Sequence, residues 1–510
     1  MFARLKQIIQ QVWVLLPGSI SFLVYVLTLA PAVVGFDSAE LVTGAYSLGI
    51  VHPTGYPLFL LLGKLFTFLP VGNVAYRVNL MSAFFGALSV SLLSYFLFQL
   101  TSRRWTALFG GGVFAFMISF WQMAVVTEVY TLHVFFLSLE WVLLMRWKQS
   151  GQMRWLDIFV LAYALSLANH VSGALFAPAF AWFILKHERV PVLLRRLPRF
   201  LILAIIGLSP YLYLPIRQMA QPDLDYVSSY YNIDMRTPSG LWWMITGQAY
   251  HFFAFSYDLA GYGREILGFF QLLVRNVTVI GVGFGLVGAI QMIRKRLTMN
   301  AALFALFVLY GAFYIGYGVV DKATMFLPCF AVWAIWMGVG FDYLLEEGVA
   351  VIRRFLPELP RKALEHGFRT LSILFVSAFL FSNWNWADMS HAYAPEIFAE
   401  QVLLTIEDEA FIMGEWSSAV ILEYYQTVEG VRPDVEIFNR SRFQVAQYYI
   451  LLDEEGSENA AAEMVYLMEE AWISMVSSDR PVYSVEYDPR LASSYEYQPV
   501  GNVFQLIPRD

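Results

Sequence analysis

A polytopic α-helical membrane protein with a small α/β domain after its last helix is predicted by three features of the sequence. Of the 510 residues, 58% are hydrophobic and only 14% charged. The apolar positions gather into runs near twenty residues long, the length that crosses a hydrocarbon core of about 30 Å. Short basic turns separate the runs, which a soluble core would not require. The net charge of −7 also divides unevenly: residues 386–510 hold 23 Asp+Glu against 6 Lys+Arg, leaving +10 for residues 1–385.

Taken in order, the runs predict helices near 12–34, 77–100, 106–125, 130–147, 155–169, 172–186, 200–216, 267–293, 300–319, 323–345 and 368–385, eleven in all. The first starts "MFARLKQ", as a signal peptide would. Its apolar part is too long, and no small-residue cleavage site follows, so it reads as a retained helix. The runs flanking Asn169-His170 are short, and fit either two crossings or one broken element.

Basic residues in short loops stay cytoplasmic. With the N-terminus inside, Arg4/Lys6, Arg103/Arg104, Arg146/Lys148/Arg154, the Lys186–Arg199 loop, Arg294/Lys295/Arg296 and Arg353–Arg369 all lie inside. These are 20 of the 27 basic residues before 386. The transmembrane part is therefore residues 1–385, and the acidic domain, 386–510, is non-cytoplasmic. The break at 35–76, "TEVY" (127–130), "NH" (169–170), Arg217 with the loop to about 266, and "VDKAT" (320–324) then share that non-cytoplasmic side.

The tail alternates "AFIMGEW" as strand, "SSAVILEYYQTVEG" as helix, "DVEIFN" as strand, "AAEMVYLMEEAWISMV" as helix, then "PVYSVEY" and "NVFQLIP" as strands. "NRS" at 439–441 matches a glycosylation acceptor, a pattern that also arises by chance. The acidity of this domain disfavours nucleic acid and anionic headgroups. Cys329 is the only cysteine, which excludes intramolecular disulfides and cysteine metal sites. There is no GxSxG, Walker loop, HExxH or EF-hand pattern, so a soluble-type hydrolase, a nucleotide-driven pump and a zinc peptidase are disfavoured.

The stretch "VVGFDSAELVTGAYSLGIVHPTGYPLF", residues 33–59, puts Asp37, Glu40 and His52 into a polar break in an otherwise apolar region. Asp37 and Glu40 share one face if a helix begins here. They read either as caps of that helix or as a general base at the membrane surface. "HPTGYP" cannot continue a helix and forms a rigid turn presenting His52 and Tyr56. Glu128 and Tyr130 in "TEVY", and Asp321 and Lys322 in "VDKAT", stand at outer ends of spans. An ionisable group at membrane depth is costly and so a candidate for function, although Asp321 and Lys322 can also pair with each other. Arg217 suits bidentate phosphate binding, or else snorkels to headgroups. "WWMITGQAYHFF" (242–253), with Tyr250, reads as an interfacial helix able to hold a lipid tail or a sugar face.

"FDSAELVTGAYSLGIVHPTGYPLFLLLGKLF", followed by "AYRVNLMSAFFGAL", "TEVYTLHVFF", "LANH", "YLYLPIR" and "VEGVRPDV", resembles a family of polytopic proteins, largely bacterial, that includes a vertebrate transmembrane O-mannosyltransferase acting on plexin-type receptor domains. That family is similar to the GT-C glycosyltransferases. The resemblance implies a GT-C-like fold and a sugar, mannose by analogy with that relative, taken from a polyprenyl-phosphate carrier at the non-cytoplasmic face of a bacterial plasma membrane. The acceptor would be a hydroxyl of a protein or glycan. On this analogy Asp37 is the general base with Glu40 or Glu128 assisting, while Arg217, with His52 or His170, stabilises the departing phosphate. The vertebrate relative's helical-repeat C-terminal region has no counterpart in this tail, so acceptor recognition does not carry over. No cofactor is expected. Asp37, Glu40 and Glu128 are able to hold a divalent ion, but an arginine already suffices to neutralise the leaving phosphate. The rival readings are a transporter or flippase for a lipid-linked saccharide, and an inactive scaffold. A transporter favours repeats and midplane polar residues, whereas these candidates cluster at one face.

Overall fold

The computed structural model describes residues 12–295, 298–319, 322–455 and 457–509. Each of the eleven apolar runs contains helix. Six helices are long and apolar enough to cross a bilayer alone: Val74–Thr101, Val190–Met219, Leu259–Arg294, Thr298–Ile315, Thr324–Phe355 and Arg361–Ala387. Arg104–Ala115 and Ile118–Ala124, bent by 69°, make a seventh if they act as one span. The protein is thus a multi-pass membrane protein. Leu15–Leu27 and Val171–His187 are shorter apolar helices, and Arg154–Leu167 has only 14 residues. Eleven complete crossings therefore exceed what length and apolarity alone support.

The first run is helical only from Leu15 to Leu27, not to residue 34. Pro31 cannot donate to the helix and turns its predecessor away from helical geometry. The irregular stretch beyond it is sewn to the bundle. The Trp121 indole N–H donates to the Thr28 hydroxyl at 2.9 Å, and the Asn79 amide to the Ala30 carbonyl at 3.0 Å. The Thr127 hydroxyl donates in turn to Asn79 Oδ1 at 2.6 Å. These buried, satisfied bonds fix the approach to Asp37.

Elsewhere small residues set the packing. A Cβ on Gly288 would lie 1.8 Å from the Trp336 carbonyl oxygen, and one on Gly340 would lie 2.0 Å from that of Phe284. Helices Leu259–Arg294 and Leu327–Phe355 therefore touch backbone to backbone, as glycine-rich membrane interfaces do. Cys329 is buried, its Sγ 3.6 Å from the Phe307 carbonyl oxygen of helix Thr298–Ile315.

The polar break contains two helices, Asp37–Ser47 and Pro57–Thr67. The first ends at Leu48 in left-handed geometry. The second starts on Pro57, whose missing N–H costs nothing at a first helical position.

After Arg361–Ala387 and a short helix, Ala394–Thr405, comes a five-stranded sheet ordered β2-β1-β3-β5-β4. Its strands are β1 (Phe411–Gly414), β2 (Glu436–Asn439), β3 (Val482–Ser484), β4 (Tyr495–Val500) and β5 (Val503–Pro508). β2, β1 and β3 run parallel, while β5 is antiparallel to both β3 and β4. Helix Trp416–Thr427 crosses from β1 to β2, and Arg440–Glu455 and Glu458–Ser477 return from β2 to β3. The tail's predicted strands and helices are all present, while β4, Ala394–Thr405 and Arg440–Glu455 are additions. Asn439 of the "NRS" match is buried, so it offers no accessible amide for glycosylation. The main hydrophobic core runs from the membrane helices into Val420, Ile421, Leu422 and Tyr424. Helix Trp416–Thr427 thus lies against helix Asp37–Ser47.

Candidate active site

Asp37 opens its helix, with Phe36 before it at φ 61° and no side-chain cap. Its side chain keeps 36% exposure, whereas the Glu40 side chain keeps none. The three-residue spacing aims both carboxylates at the turn that follows the helix. There the His52 backbone N–H donates to Glu40 Oε1 at 2.6 Å, and His52 Nδ1 lies 2.6 Å from Glu40 Oε2. The other ring nitrogen, Nε2, stands 3.1 Å from the Tyr56 hydroxyl and 3.8 Å from Asp37 Oδ2. His52 therefore bridges the buried carboxylate to the open one.

A residue that sequence reasoning did not single out completes this cluster. Arg442 lies on helix Arg440–Glu455 of the C-terminal domain, and its Nη2 donates to Glu40 Oε2 at 3.0 Å. The guanidinium carbon sits 3.5 Å from the centre of the Trp416 ring and 5.0 Å from that of Tyr226, in cation–π geometry. Nη1 reaches the Tyr250 hydroxyl at 3.4 Å. The Tyr250 ring in turn stands 6.5 Å from that of His52.

Opposite charges outweigh burial in this cluster. Burial raises the Glu40 carboxyl, but His52 and Arg442 more than offset it and hold Glu40 below its ordinary value. Burial lowers His52, yet the charges of Glu40 and Asp37 bring it above its ordinary value. Glu40, His52, Arg442 and Asp37 thus form one polar network, with only Asp37 at its rim.

Aromatic contacts extend the site toward the bundle. Ring centres of Tyr56 and His170 are 5.8 Å apart, as are those of Tyr130 and His170. Burial, with the His52 charge adding, holds His170 down to about 4, so it is a neutral imidazole bonded through Nδ1 to the Ser172 hydroxyl at 2.7 Å. Glu128 presents its backbone N–H to Ser82 Oγ at 3.2 Å, and its charge reaches Tyr130, as does that of Asp37.

Two further predicted site residues, Arg217 for the phosphate and Lys322 for substrate, are engaged with groups outside this cluster. Arg217 Nε donates to the Leu48 carbonyl at 2.6 Å and Nη2 to that of Ser47 at 3.4 Å. It caps the far end of helix Asp37–Ser47, about 15 Å from Asp37 for 11 residues. Arg217→Gln is expected to lower stability by about 1.5 to 3 kcal/mol, the range for hydrogen bonds from a charged donor, in denaturant titrations of the detergent-solubilised protein. Its affinity for a lipid phosphate should stay at the parent value, and a large loss of that affinity would contradict the capping assignment. Lys322 Nζ pairs with Glu265 at 2.6 Å and donates to the Tyr317 carbonyl at 2.9 Å. Asp321 lies outside the described residues.

Glu423, on helix Trp416–Thr427, bonds to the Tyr226 hydroxyl. Burial, with the Glu40 charge adding, pushes Glu423 up to about 8. The folded state thus holds a proton that an unfolded carboxyl releases near pH 4.3, so this group's contribution to stability falls as pH rises between those values. Glu423→Gln should flatten the decline in melting temperature between pH 6 and pH 8. An unchanged slope would contradict the assignment.

The trio Asp37, Glu40 and His52 presents ligand atoms within 4.8 Å of one another. A divalent ion there would face the Arg442 guanidinium on the same Glu40 oxygen and would have to displace the His52 contact. The trio as arranged does not fit a metal.

Residues 37–192 match the model of the Protein O-mannosyl-transferase TMEM260 N-terminal domain. The chain is 28% identical over 463 residues to Protein O-mannosyl-transferase TMEM260 of Mus musculus, covering 83% of this chain and 62% of that protein. It is 26% identical over 213 residues to Protein O-mannosyl-transferase tmem260 of Dictyostelium discoideum, covering 38% and 26%. The chain thus spans less than two thirds of the length of these relatives. Two crystal structures of ArnT from Cupriavidus metallidurans share the fold over 97% of both chains. The apo form has a TM-score of 0.59 at 11% identity, and the form bound to undecaprenyl phosphate 0.57 at 12%. The fold is therefore GT-C-like, membrane helices and C-terminal sheet together.

Proposed function

We propose that the protein is an inverting membrane glycosyltransferase that moves a sugar from a polyprenyl-phosphate carrier to a hydroxyl acceptor at the non-cytoplasmic face, with Asp37 as general base. The observation that carries this reading is the asymmetry between two neighbouring carboxylates. Glu40 is buried and committed to His52 and Arg442, while Asp37 is partly open. A base must reach the proton it removes, and Asp37 alone of this pair meets that condition. The similarity to O-mannosyltransferases supports mannose as the sugar and a protein or glycan as the acceptor. A lipid-phosphate donor is supported by the fold shared with a protein crystallised with undecaprenyl phosphate.

In the transfer, the acceptor oxygen attacks C1 of the sugar as Asp37 takes the hydroxyl proton. The bond from C1 to the phosphate oxygen breaks, its electron pair stays on that oxygen, and polyprenyl phosphate departs. A single displacement of this kind inverts the anomeric centre. His52, clamped by Glu40, holds the turn and stands beside Asp37, and Tyr56, Tyr130, His170 and Tyr250 line the approach. Residues 1–385 form the transferase domain, and 386–510 a non-cytoplasmic domain seated on it.

The test incubates purified protein in nanodiscs with polyprenyl-phosphate sugars and a mixture of hydroxyl acceptors, following release of polyprenyl phosphate. Turnover is the expected result. Passage of the intact lipid-sugar across sealed proteoliposomes, with no cleavage, would overturn the transferase reading in favour of a carrier.

A further inference from the structure

The described basic side chains of the outer loops and helix ends differ in what they hold and how deeply they are buried. Arg217 gives two N–H groups to the carbonyls of Leu48 and Ser47 from a half-buried position that leaves the rest to water, Lys322 pairs with Glu265 and donates to the Tyr317 carbonyl, and Lys64 donates to the Tyr46 carbonyl. Arg77 binds the carbonyls of Val71, Thr67 and Gly72. Arg442 differs. It is 7% exposed, and its buried Nε has no hydrogen-bond partner. Of the five N–H groups of a guanidinium, one is given to Glu40 and one, at 3.4 Å, to Tyr250. Leaving buried donors unmet costs free energy, so an unmet set at a site marks the place of an absent acceptor.

The plane of this guanidinium is fixed by the Trp416 ring 3.5 Å away, which leaves its edge for polar contacts. A planar fork of donors matches two oxygens of a phosphate. The transfer creates a demand for that match. A lipid-phosphate sugar is a phosphodiester with one negative charge, and after C1 departs the lipid keeps a monoester with a second charge on the freed oxygen. A pre-placed cation beside that oxygen stabilises the transition state more than the ground state.

We propose that Arg442, carried by the C-terminal domain, binds the phosphate of the lipid-linked donor, so that the active site is complete only with this domain seated on the membrane helices. The inference rests on the transferase reading for its choice of ligand. The guanidinium bridges Glu40 to the phosphate, and the domain supplies a catalytic group as well as any acceptor surface.

The test uses full-length protein in nanodiscs and measures binding of two probes, undecaprenyl phosphate and uncharged undecaprenol. The parent is expected to prefer the phosphate at least tenfold. Arg442→Gln should lose that preference to within about threefold while still binding undecaprenol as the parent does. Retention of the full preference, or an equal loss of both lipids, would overturn the proposal, since a residue that merely anchors Glu40 would not discriminate between them. If Arg442→Gln fails to fold, Arg442→Lys decides. A single ammonium lacks the fork, so the preference should fall several-fold, whereas a simple counter-charge for Glu40 would leave it at the parent value. A parent that prefers the phosphate through Arg442 but transfers no sugar would refute the transferase reading and leave this one standing.

Discussion

Asp37→Asn is expected to fold and bind undecaprenyl phosphate as the parent does, and to transfer sugar about 10²- to 10⁴-fold more slowly, the usual contribution of a positioned general base. The amide keeps the size of the carboxylate and one acceptor oxygen but accepts no proton. Because Asp37 sits at the rim of the ion-pair network, its loss leaves the inner contacts of Glu40 with His52 and Arg442 in place. Melting temperature and lipid binding should therefore stay near the parent values while the transfer rate collapses. A variant that turns over donor at the parent rate would remove Asp37 from the mechanism.

Glu40→Ala should do the reverse of a clean catalytic lesion and cost about 3 to 5 kcal/mol of stability, the range for breaking a buried ion pair from one side. Glu40 accepts from the His52 backbone and from Arg442, and its Oε2 stands 2.6 Å from the His52 ring. Alanine would leave the buried Arg442 guanidinium and the His52 ring facing each other across a void. The His52 turn would lose its anchor to helix Asp37–Ser47, and the C-terminal domain would lose its Arg442 ion pair with the membrane part. Denaturant titration in detergent, followed by tryptophan fluorescence, reads the loss. A change within about 0.5 kcal/mol, as at an ordinary surface position, would show that the network carries no stability.

The sequence made one half of this site legible. Asp37, Glu40, His52 and Tyr56 stood out because ionisable groups and prolines interrupt an apolar chain, and a single short loop brings them together. Tyr130 and His170 sit at ends of apolar runs and Tyr250 in the interfacial stretch, and the structure sets Tyr250 against His52 and places His170 beside both Tyr56 and Tyr130. Arg442 was not legible, because 402 positions separate it from Glu40 and nothing local distinguishes it from Arg440, two residues earlier. Arg440 spends itself on Glu469 and Asp488 inside the domain. Only the seating of helix Trp416–Thr427 on helix Asp37–Ser47 separates their roles.

Arg217 illustrates the opposite case. A conspicuous arginine at the outer end of a span reads as a phosphate ligand, yet three-dimensional proximity hands it the orphan carbonyls at the end of a helix. In the fold, long apolar periodicity located the helices well. The first of them stopped early because Pro31 and the bonds of Asn79 and Trp121 override apolarity. β4 escaped because burial along it is sparse and Pro499 lies within it.

Loss of activity in Asp37→Asn would follow equally if Asp37 attacked the sugar itself, so the anomeric configuration of the product, read by NMR against that of the donor, tests the central claim most directly. Inversion is the result expected of a single displacement in which Asp37 deprotonates the acceptor. Retention would mean two displacements through a covalent sugar intermediate on the protein, and would contradict Asp37 as general base.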